Sequence, residues 1–138
     1  MQPKRSKYLK VHKNVQAKKK GIREQLAYGQ YGLKALKAGY LPAKTLETIK
    51  QTLVRKLKRT GKLWIRVFPH IPRTKKPAEV RMGKGKGSIA FWEAQVDAGQ
   101  ILLELSTSKE LAQEALALIY AKSPIPLLFV EREEKSFQ

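Results

Sequence analysis

The alternation of apolar and polar residues divides the chain into short elements. Between positions 43 and 59, Leu46, Ile49, Leu53 and Leu57 recur at steps of three and four, the spacing of one helix face. Pro42 before this run and Gly61 after it supply a start and a stop. With 3.6 residues per turn, Lys44, Arg55, Lys58 and Arg59 fall on the opposite arc. Positions 62–68 alternate Leu63, Ile65 and Val67 with Trp64, Arg66 and Phe68, which predicts a strand ended by Pro69. Large aromatic residues at period two in a strand usually pack inward, so Trp64 and Phe68 are expected in the core. Positions 88–96 and 100–106 flank Asp97-Ala98-Gly99 and predict a β-hairpin. Thr107 with Glu110 forms a capping-box pattern for a helix running to Lys122, with Leu111, Ala115, Leu118 and Ile119 buried. Pro124 ends it, and Leu127 to Val130 predicts a last strand. Between Leu26 and Leu41, Tyr28, Tyr31 and Tyr40 stand among Gly29, Gly32 and Gly39, which suits strands with tight bends.

Three stretches lack such a pattern. Residues 1–21 carry Lys4, Arg5, Lys7, Lys10, Lys13, Lys18, Lys19 and Lys20 with few large apolar groups, so they predict an extended basic tail ordered by a partner. Residues 69–87 hold Pro69, Pro72 and Pro77, then Arg73, Lys75 and Lys76, then Arg81-Met82-Gly83-Lys84-Gly85-Lys86-Gly87. A loop this long in a small domain is usually functional. Residues 131–138 read as a solvated end. The pattern therefore gives one domain over 22–130 that combines strands with two helices and shows no internal repeat.

Charge sharpens this picture. The 138 residues carry a formal net charge of +18. Residues 1–87 hold 25 Lys and Arg against three acids, net +22, whereas residues 88–138 hold four against eight, net −4. A folded body so unevenly charged expects a polyanion on its first two thirds, because each cation placed on a phosphate releases condensed counterions. In that setting Trp64 and Phe68 beside Arg66 could instead stack on bases, the less favoured alternative to the core. The chain has no Cys, which excludes disulfides, thiolate metal ligands and cysteine nucleophiles. No run approaches the roughly 20 apolar residues of a membrane span, and no membrane partner is expected. Pro3 and the missing apolar stripe also argue against a cleaved mitochondrial presequence.

Catalytic and cofactor chemistry finds no constellation. The Gly-rich run is neither a P-loop, since Lys86 is followed by Gly87 rather than Ser or Thr, nor a dinucleotide fingerprint. Alternating Gly and Lys instead lets backbone and charge approach a crowded anionic surface together. His12 and His70 have no ligand spacing to each other or to a carboxylate, and Glu110 and Glu114 read as a solvated helix face. No enzyme, metal or cofactor is expected.

Four strings then occur in order: Gln2-Pro3-Lys4-Arg5-Ser6-Lys7-Tyr8; Tyr28-Gly29-Gln30-Tyr31-Gly32-Leu33-Lys34-Ala35; Gly61-Lys62-Leu63-Trp64-Ile65-Arg66-Val67-Phe68-Pro69; and Lys76-Pro77 with Val80-Arg81-Met82-Gly83-Lys84-Gly85-Lys86-Gly87. Together they resemble the bacterial-type large-subunit ribosomal protein sixteen family, from residue 2 to about residue 130. His70-Ile71, Leu103-Glu104-Leu105-Ser106 and Pro126-Leu127-Leu128 depart from the family's usual residues.

The resemblance implies a hammerhead-like α+β fold with antiparallel strands, docked on large-subunit rRNA near the aminoacyl-tRNA site and the peptidyl transferase centre. It also implies roles in late subunit assembly and tRNA positioning, with neighbouring ribosomal proteins as partners and no homo-oligomer. The expected rRNA contacts are the cations of the tail, with Lys34, Lys44, Arg55, Lys58, Arg59, Arg66, Arg73, Lys75 and Lys76. Residues Arg81 to Gly87 are expected near the tRNA acceptor end. A free-standing RNA chaperone or translation regulator using the same surface is the alternative, and stoichiometry on the large subunit separates the two. The excess of 21 Lys over 8 Arg leans weakly toward a plastid or mitochondrial ribosome rather than a bacterial one.

Overall fold

A computed structural model of the chain describes residues 1–12 and 25–133. Its elements run β1 (Tyr31–Ala35), β2 (Gly39–Pro42), α1 (Ala43–Leu57), β3 (Lys62–Ile65), β4 (Ile71–Lys75), β5 (Ser88–Val96), β6 (Ile101–Ser106), α2 (Lys109–Tyr120) and β7 (Leu127–Glu131). The α+β class and the antiparallel pairing agree with the sequence reading. The strands form a four-stranded sheet in the order β3-β6-β1-β7 and a three-stranded sheet in the order β2-β5-β4.

Register explains which residues are buried. Across the larger sheet, Ile65 pairs with Leu103, Leu103 with Leu33, and Leu33 with Phe129, an apolar row on the face covered by the helices. The next row, Trp64, Glu104, Gly32 and Val130, points to the opposite face. Leu46, Ile49, Leu53 and Leu57 of α1 are buried as their spacing predicts, and they join Ala112, Ala115, Leu116 and Ile119 of α2 in one core. The core therefore lies between the helix pair and the sheets.

Several boundaries and faces differ from the sequence reading. Helix α1 ends at Leu57, and Lys58 (φ 44°) and Arg59 (φ 68°) leave it in left-handed conformation, so these two cations are not part of the helical arc. The strand predicted over 62–68 stops at Ile65, although the Arg66 N–H still donates to Leu102 O at 2.9 Å. Phe68 is 49% exposed beyond the end of β3, and Trp64 lies on the outer row, so neither belongs to the core.

Segment 69–87 is not one loop. It contains β4, which pairs with β5 from Ile71–Glu93 to Lys75–Ser88. Pro72 hides this strand in a sequence reading, yet an edge strand tolerates a residue without an N–H. The irregular part is confined to 76–87.

The β5–β6 hairpin is absent. Asp97-Ala98-Gly99 does turn, with the Gln100 N–H on Asp97 O at 3.2 Å, but β5 pairs with β2 and β4 while β6 pairs with β1 and β3. The end of β1 captures the turn instead: Gly99 N–H donates to Ala35 O at 2.7 Å and Ala35 N–H to Gln100 O at 2.9 Å. A turn signal fixes a change of direction but not the pairing partner.

In α2 the capping box does not form: the Thr107 hydroxyl donates to Thr60 O at 3.2 Å, and Ser108 occupies the cap without a side-chain bond. Leu118 is 47% exposed rather than buried, because the buried stripe runs through Ala112 and Leu116, with Leu111 packed at its margin. The helix closes at Tyr120, two residues before Lys122, and the Lys122 ammonium donates to Thr52 Oγ1 of α1 at 2.9 Å. Glu131 belongs to β7 and pairs with Lys109 at 2.8 Å; residues 134–138 of the expected solvated end lie outside the described residues.

Leu53 is fully buried between the helices, whereas the adjacent Val54 is half exposed. Leu53→Ala is expected to lower unfolding free energy by about 2–5 kcal/mol, and Val54→Ala by less than about 1 kcal/mol. Urea denaturation of the two variants checks the assignment of the α1 faces.

Candidate nucleic-acid interface

The cations proposed from sequence fall into three structural settings. The first is the open surface. Lys4, Arg5, Lys7 and Lys10 are exposed along residues 1–12, which carry no helix or strand, and the Lys7 ammonium lies 5.5 Å from the Tyr8 ring centroid. Lys44 and Arg55 are exposed on α1, Lys58 and Arg59 just beyond it, and Lys75 at the end of β4. Lys34 is half-buried on β1. Lys13, Lys18, Lys19 and Lys20 lie outside the described residues.

The second setting is the Gly-Lys loop. Arg81 to Lys86 are all exposed, and Met82 is 99% exposed at the tip. Gly83 (φ 100°), Lys84 (φ 55°) and Gly85 (φ 88°) form a left-handed run that side chains other than glycine rarely adopt. A Cβ at Gly83 or Gly85 would meet nothing within 4 Å, so these glycines serve the backbone path. Gly87 is different: a Cβ there would stand 2.7 Å from Lys75 O, so close approach to β4 requires its small size.

The loop is tied at both ends. The Lys76 ammonium donates to Gly83 O, the Lys10 ammonium to Lys86 O at 2.8 Å, and the Lys86 ammonium to Val11 O. The fold thus brings the start of the tail and the loop together, a pairing of residues 76 positions apart that no sequence pattern announces.

In the third setting the cation is engaged by a carboxylate. Arg73 donates to Glu93 and lies 4.5 Å from the Tyr40 ring centroid; the hydrogen bond it gives to Glu93 holds its guanidinium charged even more firmly than usual. Arg66 donates to Glu104 Oε1 at 2.9 Å and to Gln25 O at 2.8 Å.

Glu104, which the sequence reading noted only as a departure from the family, is fully buried. Its Oε2 accepts the N–H groups of Tyr28 and Gly29 at 2.7 Å each, and both oxygens lie 3.1 Å from the Ala27 N–H. Burial alone would raise its pKa, but the N–H groups of Gly29, Tyr28 and Ala27 and then the Arg66 charge outweigh burial and hold the carboxyl below the usual range. The signal available in sequence was a lone acid inside the apolar strand Ile101–Ser106.

The carboxylate fixes a surface feature. Residues 27–29 run over the outer row of the larger sheet, where the Gly29 backbone crowds Leu105 O and the Gln30 N–H donates to it at 3.0 Å. There the Tyr28 ring stacks on Trp64, with centroids 6.1 Å apart and planes 22° from parallel. Among the described residues, no group of three or more His, Asp or Glu side chains could hold a metal ion.

A basic α+β body of this kind, with a Gly-Lys loop beside a cationic N-terminal segment, matches one known family over most of its length. The model of the family described as ribosomal protein L16p/L10e matches residues 3–130, and the chain belongs to that family. It is 47% identical over 133 residues to the large ribosomal subunit protein uL16 of Psychrobacter cryohalolentis, covering 96% of this chain and 97% of the relative. The uL16 protein of Psychrobacter arcticus is similar to the same extent, 47% over 133 residues. These are ribosomal proteins and not enzymes. Both relatives are bacterial, so they give no support to the lean toward an organelle that the Lys excess suggested.

The depressed pKa of Glu104 has a definite sign. Its charged form contributes stability above the unfolded glutamate pKa of about 4.3, and that contribution is lost as pH falls through the lower folded value. Glu104→Gln is expected to cost about 3 kcal/mol at pH 7. Because the variant lacks this titration, the gap from wild type is expected to narrow below about pH 4. Urea midpoints of both proteins across that range measure it.

Proposed function

We propose that the chain is a component of the large ribosomal subunit that binds large-subunit rRNA through its basic first two thirds. In this reading the Gly-Lys loop is directed at the acceptor end of tRNA in the aminoacyl site, and the protein supports late subunit assembly. The observation that carries the proposal is the family match over residues 3–130 joined to the one-sided charge, net +22 over residues 1–87. Neighbouring ribosomal proteins are the further partners. In support, the exposed cations of residues 1–12, of α1 and its C-terminal turn, and Lys75 can each meet phosphate without leaving a carboxylate, while the half-buried Lys76 holds its ammonium on Gly83 O. Arg66 and Arg73 reach RNA, in this reading, from positions already oriented by Glu104 and Glu93. Purified ribosomes sedimented under subunit-separating conditions test the proposal; absence of the protein from the large subunit overturns it.

Deletion of residues 1–20 is expected to weaken binding to large-subunit rRNA and to flatten the plot of log affinity against log salt. Each lost phosphate contact lowers the slope by roughly 0.7–0.9. An unchanged slope excludes the tail from the interface.

Arg81, Lys84 and Lys86 are exposed on a loop whose flanking strands pair without it. Their combined replacement by alanine is expected to leave the urea midpoint nearly unchanged, with each change costing at most about 0.5 kcal/mol. Ribosomes carrying the variant at normal occupancy are expected to bind aminoacyl-tRNA poorly or to mature slowly. Arg81 contributes most, since its planar fork can hold a phosphate bidentately or stack on a base. Wild-type tRNA binding together with normal subunit profiles would reduce the loop to an inert surface.

A further inference from the structure

The stacked pair Tyr28 and Trp64 has no part in the RNA contacts proposed above. Tyr28 is 61% exposed, so one side of its ring rests on Trp64 and the rest is open to solvent. Its backbone N–H is held by Glu104 at 2.7 Å, its neighbours Ala27 and Gly29 are held by the same carboxylate, and Trp64 stands directly opposite Glu104 across β3 and β6. An aromatic ring on an irregular segment is thereby fixed before any ligand arrives, which removes an ordering cost from binding.

The surroundings are cationic. Lys62 is exposed and shares the outer face of β3 with Trp64 by strand alternation. Arg66 follows two positions later on the same side of the chain, and its guanidinium donates to Gln25 O, three residues before Tyr28. A rigid π-surface backed by a second ring and set among positive charges is complementary to a base whose own phosphates lie on either side.

We propose that Tyr28, backed by Trp64, is a stacking platform for one unpaired nucleobase of single-stranded RNA. The inference rests on the rRNA-binding reading and adds to it a subsite that acts through the base rather than the phosphate. Such a site tolerates any base, since each has a π-face, and it contributes affinity without changing the number of counterions released.

The test compares binding of the full chain to a short oligouridylate and to the matching abasic ribose-phosphate oligomer over a range of salt. Wild type is expected to prefer the oligouridylate about tenfold. Tyr28→Leu is expected to lose that preference, with the oligouridylate bound about tenfold more weakly at an unchanged salt slope. Tyr28→Phe keeps wild-type affinity, and Tyr120→Leu, which removes an exposed tyrosine from α2, changes nothing.

A preference of less than about twofold in wild type overturns the platform without recourse to any variant. So does a Tyr28→Leu protein that binds the oligouridylate as wild type does, or that weakens equally toward the abasic oligomer. Salt-dependent binding of wild type to large-subunit rRNA in the same experiment leaves the broader reading standing when the platform falls. Failure to bind rRNA at all overturns both.

Discussion

A single buried carboxylate organises the surface of this protein. Glu104 sits at the centre of the larger sheet, where an unpaired charge would be prohibitive, and it is tolerated because three successive backbone N–H groups and a guanidinium converge on it. The converse dependence matters as much. Residues 27–29 lie along the sheet outside any regular element, and this one carboxylate accepts all three of their N–H groups. Arg66, which would otherwise be one more mobile surface cation, is locked between Glu104 and Gln25 O. The acid thus converts an irregular stretch of chain into a fixed part of the body.

Much of this architecture was readable from residue patterns because those patterns report local physics. The α1 stripe of Leu46, Ile49, Leu53 and Leu57, the tight bends around Gly29 and Gly39, and the last strand all follow from periodicity and punctuation. What was not readable is long-range choice. β5 and β6 have every local mark of a hairpin, yet each finds a better partner elsewhere, and the turn between them is held by β1. β4 was masked by prolines that only an edge position accommodates.

The same division applies to the interface. Exposed cations on the tail and loop could be named from charge alone, although the fold engages some of them, with Lys10 donating to Lys86 O and Lys86 to Val11 O. Arg66 and Arg73 could not be told apart from these in sequence, since their partners Glu104 and Glu93 are 38 and 20 positions away. Trp64 was expected inside on the strength of its size and strand position, but the residue that decides its face is Glu104 across the ladder, which turns the row outward.

The strand order β3-β6-β1-β7 also constrains how the chain is made. β1 is synthesised first among the strands, yet both of its neighbours, β6 and β7, lie in the last third of the sequence. During translation the strongly cationic first two thirds therefore emerge before the segments that can close the sheet around them. Such high contact order makes folding slow and late. A nascent chain with net charge +22 over residues 1–87 is thus exposed to the polyanions of the cell before it has a core. For this topology, the order of synthesis itself favours contact with polyanions ahead of folding, and the acidic C-terminal third arrives last, completing the sheet while offsetting only four of those charges.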